Sequence, residues 1–310
     1  MASQRSYRGF TRLDALVVAA VCLAFILLVP VLHAMTQERH FRTVCAAHIA
    51  EIGKTMFVYA NDNEGALPRA GGPTTIWGPL KYWMGTVPHM AFGLHADGNG
   101  GKATINSSFY LLVKHYQVPP RLFVCPGDKG TSEFTLSKAG VSADVKLADV
   151  WDFGPSSLSF QSCSFSYHQP YGVYALAIGD DPNKAIAADR TPWFWSPAAG
   201  AASRTTFLPD LKGYSGGTAE TARAGNAISH GRDGQNVLFL DGRVTFETRS
   251  YCGVGKDNIF LISTSHTGEG SPIGSVPAAI ASIAQPANRK DSLLLNDPWK
   301  DDPPSPSSDR

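Results

Sequence analysis

Three groups of side chains in this 310-residue sequence have the types and spacing that chemistry needs. The first is His230 with Asp241, inside ISHGRDGQNVLFLDGRVTF (Ile228 to Phe246), because an imidazole oriented by a carboxylate is a common acid–base arrangement. No nucleophile accompanies them: Ser229 adjoins the histidine, but the chain has no Gly-x-Ser-x-Gly elbow. Asp241 and Gly242 also have a local role, since Asp-Gly between two apolar runs marks a two-residue hairpin turn of the I′ class. The pair therefore reads as structural, with His230 bonding the polar end of a sheet, and the chain is expected not to be an enzyme. The second group is the cysteines Cys45, Cys125, Cys163 and Cys252, with Cys22 set apart in an apolar run. Four cysteines allow three complete pairings, and sequence does not choose among them. The third is Asp14, a carboxylate at the mouth of that apolar run, where an unpaired charge is costly and so marks a partner.

Neither a metal nor a cofactor is expected, although calcium is left open. No close Cys-x-x-Cys pair exists; Cys125 with Asp128, and Cys163 with His168, are the nearest approaches to ligand spacing. Asp180, Asp181, Asp189 and Asp241 offer oxygen donors in turns, but none stands in an EF-hand arrangement. GNGGKAT (Gly98 to Thr104) lacks the phosphate-loop spacing. With 27 basic against 26 acidic side chains, the chain is not built to hold nucleic-acid phosphates. Its 30 glycines and 21 prolines exclude an all-helical bundle.

The elements that must position these residues begin with a membrane anchor. Ala15 to Leu32 carries no charge and spans about 27 Å as a helix, close to a bilayer core. Arg5, Arg8 and Arg12 precede it, which predicts a cytoplasmic N-terminus and an exported body. The run is longer than a secretory signal's apolar region and leaves through His33-Ala34-Met35-Thr36 without a small-x-small site, so an uncleaved anchor is expected. From Gln37 to Ala60 apolar residues recur every three or four positions (Phe41, Val44, Cys45, Ile49, Ile52, Met56, Tyr59), which continues the helix with one buried face. Cys45 lies on that face, where one disulfide would staple helix to body. Pro30 should bend the helix, and Asn61 to Gly65 ends it. Phe109 to Tyr116 reads as a helix. Arg121 to Cys125, Ser164 to Ala175 and Ile186 to Asp189 read as short strands, and Gln235 to Leu240 with Arg243 to Arg249 as a hairpin. Trp193, Phe194 and Trp195 read as core under a long loop.

The leader RGFTRLDALVVAA, with glycine before phenylalanine and a carboxylate four residues further on, resembles the N-terminus of type IV pilins and type II secretion pseudopilins. Two further stretches, CAAHIAEIGKTMFVYANDNEGALP (Cys45 to Pro68) and the histidine-to-DG segment around His230, Asp241 and Gly242, resemble a planctomycete-type subgroup of such proteins. DSLLLNDP (Asp291 to Pro298) resembles C-terminal tails in the same group. The resemblance implies an α+β, pilin-like fold: a long N-terminal helix packed on an antiparallel β-sheet domain with long loops. It implies cleavage after Gly9 by a prepilin peptidase, N-methylation of Phe10, and pairing of Asp14 with a terminal amine during assembly. The implied organisation is a leader over 1–9, the membrane part of the helix over 10–33 and its exported amphipathic part over 34–61. A globular domain over 62–262 and an extended or disordered tail over 263–310 complete it. The expected function is a structural subunit of a secretion pseudopilus or pilus-like fibre. It would be held in the inner membrane with its body in the periplasm. Its partners would be the peptidase, other pilin or pseudopilin subunits, the assembly platform and a secreted cargo. The alternative is a membrane-anchored exported enzyme or binding protein that uses a polar cluster around His230, His168 and Asp241.

Overall fold

The structure, a computed structural model, describes residues 11–194, 196–197, 207–265, 268–277 and 284–297. The chain divides into two units, 1–41 and 42–310. The long helix α1, Arg12–Asp62, begins in the first and ends in the second.

In the first unit α1 is an apolar cylinder, with Leu16, Phe25, Ile26 and Leu27 all exposed. It is long and apolar enough to cross a membrane, and it lies near the N-terminus. The α-helix continues through Pro30. At its start Thr11 and Asp14 cap each other: the Thr11 amide donates to Asp14 Oδ2 at 2.8 Å, and the Asp14 amide donates to Thr11 Oγ1 at 3.2 Å. This is a reciprocal capping box, which satisfies two amides that the first helical turn leaves without partners.

In the second unit the remaining turns of α1 bury Cys45, Ile49, Ile52, Met56 and Ala60, a stripe at helical spacing. Short elements follow: β1, Ile76–Trp77; α2, Pro88–Phe92; β2, Lys102–Ala103; and α3, Ile105–Tyr116. The main sheet is made by β3, Phe165–His168, and β4, Ala185–Asp189, then after α4, Ala219–Arg223, by β5, Gln235–Phe239, and β6, Val244–Glu247. The pairs β7, Ile262–Ser263, with β8, Gly274–Ser275, and finally β9, Leu294–Leu295, complete the chain. The sheet order is β6-β5-β4-β3-β9, antiparallel throughout.

Both faces of this sheet carry packed apolar side chains. Leu238, Ile186, Phe165, Tyr167 and Leu295 face the α1 stripe and α3. Val237, Phe239, Ala185, Ala188 and Leu294 pack instead on Ile259, Phe260, Leu261 and Trp193. Gly53 lets α1 approach β5 closely: a Cβ there would lie 2.8 Å from Leu238 Cδ2. The architecture is therefore α+β, a long N-terminal helix on an antiparallel sheet with long loops, pilin-like in its general arrangement.

Four local expectations are corrected. Arg121 to Cys125 is no strand: Pro120–Phe123 forms a 3-10 turn, because proline at its start presets a helical φ. Pro170 keeps the strand expected over Ser164 to Ala175 to the four residues of β3. The β5–β6 loop has three residues, Leu240 to Gly242, closed by the Phe239 amide on the Arg243 carbonyl at 3.0 Å. Only Gly242 in it has positive φ, 87°, so it is a type I turn with a left-handed glycine and not a I′ turn. Described parts of the stretch expected as an extended or disordered tail over 263–310 are packed into the body. Leu293, Leu294 and Leu295 are buried, and Asp297 accepts the amides of Ile105 and Asn106 at 2.9 and 2.8 Å, capping α3. Two-residue strands are too short to show a period in sequence. The part of the expected tail over 298–310 lies outside the described residues, as does Trp195.

Candidate functional site

Where α1 crosses the sheet, four side chains from four separate segments converge. Cys45 comes from the buried stripe of α1. Cys125 follows the 3-10 turn over 120–123 and opens a second turn, closed by the Asp128 amide on its carbonyl at 2.9 Å. Asp189 ends β4, and His230 ends the 3-10 turn Ile228–His230, after which Gly231 turns back with φ 64°. Their ligand-type atoms all lie within 4.8 Å of one another, and all four residues are buried. Cys45 and Cys125 are joined as a disulfide with a Cα–Cα distance of 5.1 Å.

His230 Nε2 is the hub. It lies 3.2 Å from Asp189 Oδ2, 3.7 Å from Cys125 Sγ and 3.4 Å from Asn236 Nδ2. Asn236 fixes the carboxylate in turn, donating to Asp189 Oδ2 from its backbone amide at 2.6 Å and from Nδ2 at 3.1 Å. The other oxygen, Asp189 Oδ1, is buried without a hydrogen bond. An orphaned buried oxygen of this kind is expensive and points to a function for the site.

The walls are tight. A Cβ on Gly127 would lie 2.4 Å from the Ser229 carbonyl and 3.2 Å from His230 Nδ1, so only glycine lets the Cys125 turn close on the histidine. His48, three residues beyond Cys45 on α1, bonds the Val124 carbonyl through Nδ1 at 3.0 Å and holds the same turn to the helix. Toward solvent, the Phe246 ring meets His230 edge to face at 5.9 Å, and the Arg42 guanidinium lies over that ring at 4.5 Å. Arg42 is tied to Asp233 at 2.6 Å, and Arg223 pairs with the same carboxylate.

This cluster corrects the expectation that the chain performs no chemistry. A thiol pair, an imidazole and a carboxylate gathered out of water form a possible catalytic or metal-binding site. Released from the disulfide, the same set would be two sulfurs, one nitrogen and one oxygen, the donors that suit a soft divalent ion in tetrahedral geometry. Zinc bonds of about 2.3 Å to sulfur and about 2.0–2.2 Å to nitrogen and oxygen set donor separations of about 3.4 Å for N···O and about 3.6 Å for N···S. The observed 3.2 and 3.7 Å around His230 already match them.

The other residues singled out in sequence lie elsewhere. Gly9 and Phe10 are outside the described residues. Asp14 is exposed on the first turn of α1, engaged by Thr11. Asp241 and Gly242 form the β5–β6 loop, where Asp241 Oδ1 accepts the Arg243 amide at 3.0 Å; the carboxylate set against His230 is Asp189. Cys163 is a free buried thiol, pushed up to about 12 by burial, and Cys252 is also free and raised by burial. His168 packs by the Gln169 and Asp291 carbonyls, held down to about 3 by burial. Asp189 and Asn236 were not expected here. Their signal was a single carboxylate closing the apolar run Ala185 to Ala188 and an amide opening the next strand. A shallow depression lined by Lys81, Tyr82, His89, Met90, Gly93 and Leu94 carries no thiol or carboxylate.

Comparisons with models of protein families, with curated proteins and with solved structures yield no match.

Proposed function

We propose that the chain is a membrane-anchored binding protein, held by the first half of α1 with its N-terminus cytoplasmic and its body exported. In the body the Cys45, Cys125, Asp189 and His230 centre holds one soft divalent metal ion when the two cysteines are reduced. One observation carries this reading: four good ligands from four distant segments meet within 4.8 Å, in a site closed to water. Burial favours ligation because a bound ion would neutralise the thiolates and the carboxylate that the interior otherwise penalises.

Cobalt(II) is the test probe, added to the reduced, metal-free full chain in detergent. Uptake of one equivalent, with thiolate-to-cobalt charge-transfer bands and tetrahedral ligand-field bands, is the expected result. Asp189→Asn should weaken binding at least tenfold while leaving the thiolate bands in place. An absence of these bands in wild type would overturn the proposal.

A second reading, a fibre subunit assembled through α1, is supported by the order of long helix then sheet and by the leader's likeness to prepilins. In that reading Asp14, which holds Thr11 in the isolated chain, exchanges part of this cap for the terminal amine of Phe10 in a neighbouring subunit. The inner-membrane assembly machinery would then be its partner.

A further inference from the structure

We propose that Cys45 and Cys125 form a redox gate on this centre, so that reduction creates the metal site and oxidation expels the ion. The inference rests on the metal-binding reading above and adds its regulation. The same two sulfurs cannot serve both states. In the disulfide they are bonded to each other. As ligands they stand about 3.8 Å apart, each a thiolate. The rest of the donor set is held independently of the sulfur bond. His230 is placed by the turn ending at Gly231 and by Phe246, and Asp189 by two donors of Asn236 on β5. The fold therefore keeps half the coordination shell waiting while the disulfide is closed. Asp189 Oδ1, buried without a hydrogen bond, is the visible consequence of that waiting.

The position of His230 sets the direction of the chemistry. Its Nε2 lies 3.7 Å from Cys125 Sγ and 3.2 Å from Asp189 Oδ2. Cys125, the sulfur that His230 Nε2 already adjoins, is the one left as thiolate. A dithiol reductant, as thiolate, attacks Cys45 Sγ, forms a mixed disulfide there and breaks the Cys45–Cys125 bond. The bonding pair goes to Cys125 Sγ. The second thiol of the reductant then attacks its own sulfur in the mixed disulfide, releasing Cys45 as thiolate and leaving as a cyclic disulfide. Two electrons have moved to the protein. The divalent ion binds the two thiolates, Asp189 and the Nε2 lone pair, and the two protons brought by the dithiol are released to solvent. Oxidation by a disulfide reverses the balance: the thiolates give up two electrons, the sulfur–sulfur bond reforms and the ion leaves.

On the His230 side the centre is covered by Phe246 and the Arg42–Asp233–Arg223 ion pairs, whose Asp233 side chain is 47% exposed. This cover is a cation–π contact and surface ion pairs, the kind of interaction that opens at little expense.

The test uses the full chain in detergent and zinc as the probe, with a colorimetric chelator reading free zinc. Cys45 and Cys125 are followed by alkylation and peptide mapping, which separates them from Cys22, Cys163 and Cys252. In the disulfide form zinc affinity should be at least a hundredfold weaker than in the dithiol form. Oxidised glutathione added to the zinc-loaded dithiol form should release one equivalent as the Cys45–Cys125 peptide link reappears. Arg42→Ala should accelerate native-state reduction by dithiothreitol severalfold without changing zinc affinity. If the dithiol form takes up no zinc, the metal reading fails and the gate fails with it. If both forms bind zinc equally, or if the two cysteines reduce only when the protein unfolds, the gate fails while metal binding in the dithiol form can still stand. A Cys45→Ser, Cys125→Ser double variant that keeps its zinc in both conditions would also overturn the gate.

Discussion

At the scale of single residues, the site is built by what is left out as much as by what is present. Gly127 has no side chain, and that absence is what lets the Cys125 turn touch His230. Gly127→Ala should therefore lower the unfolding free energy by about 1–3 kcal/mol, the usual range for forcing an extra carbon into a packed interior. Urea unfolding of the full chain in detergent checks this, with Gly179→Ala as the comparison. A Cβ on Gly179 meets nothing within 4 Å, so its variant should stay within about 0.5 kcal/mol of wild type. Equal effects at the two positions would mean that the contact with Ser229 and His230 is not what Gly127 protects. Asp189 shows the opposite economy, with one oxygen given three partners and the other none.

At the scale of elements, carboxylates hold the C-terminal segment in the sheet. Asp257 accepts the Ser292 amide at 2.7 Å, and Asp291 accepts those of Ser263 and Ala287 at 3.0 and 2.6 Å. Burial, reinforced by the Asp291 charge, pushes Asp257 up to about 8; burial also raises Asp291. Lys184 and His168 face the same cluster, and burial lowers both. Between its ordinary 3.8 and about 8, folded Asp257 binds a proton that the unfolded chain has lost. Stability therefore falls as pH rises through this window, by up to about 1.4 kcal/mol per pH unit for one proton. His168 acts in the other direction. Its folded value of about 3 lies below its ordinary 6.5, so its contribution is present above pH 6.5 and is lost as pH falls below it. The His168 slope offsets that of Asp257 only below about pH 6.5, so stability should fall as pH rises from 6.5 to 8, measurable by denaturant unfolding from pH 5 to 8.5. Asp257→Asn should flatten the alkaline limb, even where it lowers stability overall. An alkaline limb unchanged in that variant would place the titrating group elsewhere.

At the scale of the whole molecule, the chain joins an apolar helix to a body that closes its own sheet with its last described strand. The exposed apolar residues of the first unit predict that the full chain stays with membranes through alkaline carbonate and leaves them only in detergent. Release by carbonate alone would argue against a spanning anchor. Intact mass of the extracted chain separates the two functional readings further. A terminus at methylated Phe10 supports the fibre subunit, and one at Met1 or Ala2 leaves the anchored binding protein.

The sequence by itself determined the apolar first half of α1, the buried stripe from Cys45 to Ala60, and the β5–β6 hairpin. Each of these rests on local composition or on a period that repeats within a dozen residues. It also marked His230 and the cysteines as chemistry-bearing residues. Only the tertiary structure decided which of them meet. Cys45 and Cys125 are 80 residues apart, His230 and Cys125 are 105, and Asp297 reaches across 192 to cap α3. No local pattern encodes such pairings, because they are set by how helix and sheet pack once each has formed. Asp241 looked like the partner of His230 because it lies near in the chain and near a turn. Asp189 holds that place because antiparallel pairing of β4 with β5 sets it beside Asn236, at the end of the sheet where α1 brings Cys45.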